Sequence, residues 1–426
     1  MSILFVLSVA LFAGLMLSRL AKILKLPAVT AYLIAGVLLG PWCLGRFGVQ
    51  ELAFISKEQL DSLSIISDVA LGFIAFSIGN EFRLSQLKVI GKQATVIGIV
   101  QAVFTTILVD LVLIVLHFIM PDVLPLPVAI VLGAIASATA PAATLMVVRQ
   151  YKAKGPLTDT LLPVVALDDA VGLVLFAISF GVAEALTKPS INVYAVIFGP
   201  LLEVVLSVGL GALMGHVFTY FERFFHSRSK RLSMSVAFVF LTVALSNLPS
   251  ILEWEIWGIE IALSPLLTCM MLGTIFCNEC DFSEELMDRL DRWTAPIYIL
   301  FFVISGAQLD LSVIADVFVV LIGVVYIIFR CLGKYFGAGV TAKLLKSPET
   351  VSKYLGVTLF PQAGVALGMA IKASNLGGEV GVLIANITLF SVLIYELFGP
   401  FLTKIALAKA GEINPEGKTS ARNNVQ

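Results

Sequence analysis

Long apolar runs broken by short polar connections set the frame of this chain. A run of roughly 17–25 apolar residues is long enough to cross a bilayer as a helix. Thirteen such runs are predicted, at about 3–19, 27–44, 60–79, 92–118, 125–148, 159–183, 192–222, 232–249, 259–277, 295–308, 314–342, 352–372 and 379–408. The tenth is short and the second is interrupted by glycines. The first has no basic residue before it and no small-residue cleavage site after it, so it reads as a retained span. Between the ninth and tenth, DFSEELMDRLDRW (281–293) reads as an amphipathic helix lying at the cytoplasmic interface, with Ser283 as its N-cap. The tail from Gly411 (411–426) is polar, short and expected to be disordered.

Charge orients this array. Twenty-two of the 28 basic residues fall in the connections after odd-numbered spans and in the tail. Arg46, Lys57, Lys188 and Lys372 fall on the other side, and Arg330 and Lys334 fall inside a span. Basic loops stay cytoplasmic, so the N-terminus is expected outside and the C-terminus inside, which requires an odd number of spans. Composition agrees: 59% hydrophobic and 13% charged is an integral membrane protein. A net charge of −1 without a basic block argues against a nucleic-acid partner. Cys277 and Cys280 form a lone C-x-x-C without two further ligands nearby, so zinc is not expected there. The other cysteines, Cys43, Cys269 and Cys331, form no disulfide framework.

Two spans carry a proline among small residues at mid-membrane. The fifth holds ASATAPAAT (136–144) with Pro141, and the twelfth TLFPQAGVA (358–366) with Pro361 and Gln362. Proline removes a donor and clashes with the carbonyl four residues back. Lipid cannot satisfy the freed groups, so such breaks belong against a cavity or another helix. With span seven as connector, spans 1–6 and 8–13 form two sets of six, and the breaks fall in the fifth member of each. An odd connector inverts the second set. That pattern points to an inverted-repeat transporter with its site at the crossing.

The chemistry follows from Asp168 and Asp169, consecutive acids near the middle of span six. Each costs roughly 2.5–3.5 kcal/mol at that depth, so they imply a function or a partner. Consecutive residues project about 100° apart on a helix, so one acid can line a cavity while the other turns to a neighbouring helix. Such a carboxylate can hold a proton or a desolvated cation, but not both, and that competition is the minimum requirement for an antiporter. Arg330 and Lys334, four apart on one face of span eleven, are the candidate counter-charges; Lys334 can titrate when buried, Arg330 cannot. For Arg330 the competing expectation is that it snorkels to the cytoplasmic end. Asp68, Asp110 and Glu203 carry no assigned role; Glu81 is placed at the edge of an access funnel. His117, His216 and His226 read as interfacial.

Taken in order, several stretches resemble the cation:proton antiporter family 2, which includes Kef-type potassium efflux proteins and sodium/proton antiporters. They are LPAVTAYLIAGVLLGP (26–41), the Asp168–Asp169 pair, LFFVISG (300–306), the Arg330/Gly333–Lys334 run and FPQAGVAL (360–367). The resemblance implies a homodimer with a scaffold (about 1–80 and 232–308), a moving core (about 92–183 and 314–408) and a linker helix (192–222). It implies elevator-type alternating access. On the family pattern Asp169 matches the acid that binds the ion and the proton, and Asp168 the acid that can pair with Lys334. Thr139 and the backbone around it would supply further ion ligands. An Asp–Asp pair with this lysine goes with electrogenic exchange of two protons per sodium ion. The chain departs from many Kef-type members in having Asp rather than Gln at 168 and in lacking their cytoplasmic nucleotide-sensing domain, which favours sodium over potassium.

The expected protein is therefore an all-α polytopic membrane protein of 13 transmembrane helices, residues 1–410, in two inverted six-helix repeats with two broken crossing helices. It exchanges Na⁺, or alternatively K⁺, for H⁺ across the cell membrane, serves pH homeostasis, and needs no cofactor beyond the transported ions. It is not expected to be an enzyme. A non-transporting sensor on the same fold is the alternative from another class. An intramembrane aspartyl protease would need its acids on separate helices, one in a Gly-x-Gly-Asp motif that is absent. A sodium-coupled organic-anion symporter would have ten spans.

Overall fold

The computed structural model describes residues 3–24, 26–41, 43, 60, 62–80, 82, 84–187, 193–225, 227–252, 254–256, 259–260, 263–280, 282–308, 314–373, 376 and 378–413. Among these residues the regular secondary structure is helical apart from one hairpin of two-residue strands. The first seven helices are α1 (Ile3–Ile23), α2 (Ala28–Leu39), α3 (Ser64–Asn80), α4 (Leu84–Ile119), α5 (Leu126–Ile135), α6 (Pro141–Gln150) and α7 (Pro156–Thr187). Then come α8 (Val193–Glu222), α9 (Arg228–Ile251), the hairpin β1 (Glu255–Ile256) and β2 (Ile259–Glu260), α10 (Pro265–Glu279) and α11 (Ser283–Gln308). The last four are α12 (Val317–Leu344), α13 (Glu349–Thr358), α14 (Gly364–Ala373) and α15 (Gly378–Lys409). Helix occupies part of every predicted apolar run. Among the described residues seven helices are long and apolar enough to cross a membrane, and α2, α3 and α5 are shorter apolar helices.

Three boundaries differ from the sequence reading. Span nine does not start at 259: that stretch turns in the hairpin, and α10 begins at Pro265, where a missing amide is harmless. The Ser264 hydroxyl accepts from Leu267 N at 3.4 Å and caps the start. The segment 281–293 is not a separate interfacial helix; from Ser283 onward it is continuous with the tenth span as α11, which tolerates Pro296 in its interior. The tail packs against the helices at residues 412–413. Glu412 and Ile413 are buried, and residues 414–426 lie outside the described residues.

That tail contact has a clear cause. The first turn of helix α7 leaves the amides of Leu157 and Thr158 without intrahelical partners, Pro156 having none. The Glu412 carboxylate accepts from Leu157 N at 2.6 Å, Thr158 N at 2.8 Å and Thr158 Oγ1 at 2.7 Å, capping α7 from the far end of the chain. Gly155 makes room for it: its φ of +152° suits glycine, and a Cβ there would sit 2.6 Å from Glu412 Cδ.

Packing sorts the helices by neighbour. In one group α11 lies along α2, α1 along α2 and α10 along α3. In the other, α12 lies along α4 and α13, α4 along α7 and α5, and α15 against α12, α13 and α14. Helix α8 contacts α10 on one side and α7 on the other. Close backbone approach holds the first group: a Cβ on Gly36 would lie 2.0 Å from Val303 O, and one on Gly306 2.2 Å from Leu33 O. Small residues at crossings are how helices gain contact where lipid removes the hydrophobic drive. Large apolar side chains such as Phe12, Leu111, Phe118, Val317 and Leu344 project outward, as lipid-facing residues do.

Candidate functional site

The site is built where the two interrupted spans meet. Helix α5 ends at Ile135, and the chain stays non-helical until Pro141 opens α6. Helix α13 ends at Thr358, and α14 begins at Gly364. Between the halves the two breaks join directly: Ala140 N donates to Pro361 O at 2.8 Å. Pro361 has no amide to satisfy, and its carbonyl accepts from an amide of the other break.

Other carbonyls of both breaks are met by side chains. Arg330 on α12 has no exposed surface. Its Nε donates to Ala136 O at 3.0 Å, Nη2 to Ala138 O at 2.6 Å and Nη1 to Phe360 O at 2.7 Å. The guanidinium stacks on the Tyr395 ring, 4.4 Å from its centroid. Gln362 donates from Nε2 to Ile135 O at 2.8 Å and meets the Tyr326 hydroxyl at 3.0 Å. Arg330 therefore neither snorkels nor pairs with an acid through any described hydrogen bond. It closes the C-terminal ends of α5 and α13, where the helix dipoles leave negative charge, and only a planar group with several fixed donors reaches three carbonyls at once.

One turn along α12, Lys334 is equally buried. Its Nζ lies 2.8 Å from Asp168 Oδ2 and also donates to Ser137 O. Thr139 Oγ1 donates to the same Asp168 oxygen at 2.6 Å. The other oxygen, Oδ1, accepts from Gln101 Nε2 on α4. Four elements thus converge on one carboxylate: α4, the α5–α6 break, α7 and α12. Helices α4 and α12 come close enough because a Cβ at Gly333 would lie 2.9 Å from Thr105 Cα, and one at Gly337 3.0 Å from Gln101 Cα. Neutralised and hydrogen-bonded on both oxygens, Asp168 meets the conditions under which a buried acid persists.

Asp168, Thr139, Lys334, Arg330, Pro141, Pro361 and Gln362 are brought together. The side chain of Asp169 lies outside the described residues, as do Glu81 and His226. Asp68 lines a cavity beside the crossing, and Asp110 lies against Gly133 of α5. One participant was missed from the sequence, Gln101, and so was Glu396, which stands on the wall of a cavity beside the crossing. Both lie in apolar runs, and Glu396 is an acid at membrane depth of the same kind that drew attention to Asp168.

Beside the crossing lies a cavity of about 240 Å³. Its wall includes Asp68 of α3, Ser264 at the start of α10, Phe302 of α11, Pro141 of α6, Ala363 and Glu396 of α15. At the opposite end of α6 the two groups of helices are tied together. Arg149 pairs with Asp291 of α11, and the Gln150 amide oxygen accepts from Ala28 N at 2.9 Å.

The sequence over residues 7–409 matches the family described as "Sodium/hydrogen exchanger, transmembrane". The Na(+)/H(+) antiporter NhaS4 of Synechocystis sp. is 24% identical over 415 residues, covering 96% of this chain and 97% of that protein. Cation/H(+) antiporter 19 of Arabidopsis thaliana is 24% identical over 395 residues, 91% of this chain; the chain spans about half the length of this and the other plant relatives it matches (47% for this one). Two structures of the sodium proton antiporter MjNhaP1 from Methanocaldococcus jannaschii share the fold, with TM-scores of 0.66 and 0.74 at 19% and 17% identity, each over 96% of this chain and 98% of the other.

Proposed function

The chain belongs to the sodium/hydrogen exchanger family of membrane antiporters, and from that premise we propose that it exchanges Na⁺ for protons through the crossing of its two broken spans. The observation that carries this reading is the buried Asp168–Lys334 pair held between the breaks, with a cavity alongside. A carboxylate with a movable positive partner can release that partner when a cation arrives and recover it when the cation leaves. Asp169, the next residue on α7, is the acid that takes the cation or the proton; Asp168 and Thr139 complete the site, and Lys334 supplies the replacement charge. If Asp169 and Lys334 each give up a proton when Na⁺ binds and recover it when Na⁺ leaves, two protons move for each Na⁺ and the exchange is electrogenic. Sodium is preferred because the Synechocystis relative is named for it; potassium is the second arm of the test.

The architecture behind this reading is thirteen spans in two inverted sets of six, joined by α8. In the proposed division α1–α3 and α9–α11 form the scaffold and dimer face, and α4–α7 with α12–α15 form a core that moves as an elevator. The basic connections favour a cytoplasmic C-terminus in the plasma membrane. On that orientation Asp68 and Ser264 lie toward the outer face, so the cavity opens outward. The Arg149–Asp291 and Gln150–Ala28 contacts close the inner side.

The deciding experiment is exchange in proteoliposomes, with Na⁺, Li⁺ and K⁺ tested in turn and a membrane-potential readout. Na⁺-driven proton movement that Asp169→Asn abolishes in a folded protein is the expected result. Exchange persisting in that variant would remove the acid from the mechanism, and no response to any cation would leave a sensor on an antiporter fold.

A further inference from the structure

We propose that Glu396 is a second cation-binding carboxylate of the cavity, distinct from the Asp168 cluster and resting on the antiporter reading above. Glu396 is 6% exposed and lines the cavity, and its Oε2 has no hydrogen-bond partner among the described residues. Its position is fixed by the next turn of α15: Gly399, three residues on and on the same face, brings its backbone so close that a Cβ would lie 3.0 Å from Pro361 Cα. The carboxylate therefore stands beside the crossing.

The two sides of the crossing carry opposite fields. The C-terminal ends of α5 and α13 are negative and are already met by Arg330 and Lys334. The cavity lies on the other side, where the N-terminal ends of α6 and α14 expose amides and positive dipole. A cavity bounded by two helix N-termini repels a cation. Glu396 and Asp68 are the acids among the described residues on its wall, and they reverse that sign. Asp68 is exposed and stands where a cation would enter; Glu396 is buried at the inner wall. The nearby bases are committed elsewhere: Lys334 to Asp168, Arg330 to carbonyls, and Lys404, further along α15, lies over the Tyr151 ring at 5.0 Å. No ion pair among the described residues includes Glu396. A volume of 240 Å³ holds several waters at about 30 Å³ each, enough for a monovalent cation with part of its hydration shell.

The simpler role is a static partner for the two helix ends, which would affect stability without touching cation dependence. Initial rates of exchange against cation concentration, at a fixed pH gradient in proteoliposomes, separate the two. For Glu396→Gln the apparent KM for the cation rises about tenfold while the saturating rate stays near wild type, as expected when one charge-assisted contact is lost. The Tm gain of the detergent-purified protein in NaCl over choline chloride shrinks in parallel. Wild-type KM and wild-type cation stabilisation in this variant overturn the proposal, even if its Tm falls. Should Glu396→Gln not fold, the KM of Glu396→Asp decides by the same criterion. A wild-type protein that exchanges no cation sinks the antiporter reading itself, which is a different result.

Discussion

Lys334 Nζ lies 2.8 Å from Asp168 Oδ2, and neither side chain has any exposed surface. Each charge is tolerable only because the other is present. Removing one partner of a buried pair costs about 3–5 kcal/mol, whereas replacing both by uncharged groups is far less damaging. Lys334→Met and Asp168→Asn should therefore each lower the Tm of the purified protein strongly. The double variant should recover most of the loss. Additive losses in the double-mutant cycle would mean the two groups do not depend on each other.

Arg330 poses a different requirement, since its three acceptors are carbonyls of two separate helix ends. Lysine keeps the charge but cannot present three donors in one plane. Arg330→Lys should cost about 2–4 kcal/mol, the scale of leaving one or two buried carbonyls unpaired. Thermal unfolding checks this, and a lysine variant as stable as wild type would show that charge alone suffices at the crossing.

The Arg149–Asp291 contact ties α6 to α11 on the side opposite the cavity mouth. Burial pushes the Asp291 carboxyl above its ordinary range, and Arg149 beside it offsets only part of that. The closed contact thus binds a proton more tightly than an exposed Asp291 would. By linkage, acid favours the closed contact, and it weakens as pH rises through and above the ordinary carboxylate range. Arg149→Ala, which leaves the half-buried Asp291 carboxylate without its partner, should open the inner side more than Asp291→Asn. Labelling of a cysteine introduced at Ala143 by an impermeant maleimide from the cytoplasmic side reads this out. Equal labelling in both variants and wild type would rule the contact out as a closure.

Glu412 joins the end of α15 to the start of α7 through three hydrogen bonds. Losing an N-cap costs roughly 0.5–2 kcal/mol. Glu412→Ala should lower Tm modestly and speed hydrogen exchange at the Leu157 and Thr158 amides before the rest of α7. Unchanged protection at those amides would place the cap elsewhere.

Much of this protein was legible before any coordinates. Apolar runs of bilayer length, two acids in span six and prolines in the fifth and twelfth runs are local features, and local features report directly on cost in lipid. Glu396, about 18 residues into the last long run, carries the same cost in lipid as the acids of span six. Asp281–Trp293 misled because amphipathicity says which face is polar but not whether the helix continues; α11 carries on through Pro296.

What the linear pattern determined is where charge and broken helix must be compensated, because an unmet polar group in hydrocarbon is expensive wherever it occurs. Which group compensates which was decided by the tertiary structure alone. Arg330 took the helix ends, Lys334 took Asp168, and Gln101 and Glu412 arrived from distant segments. The reason is physical: partners 30 to 255 positions apart in the chain are chosen by packing geometry and hydrogen-bond direction, and neither is written into any one stretch of sequence.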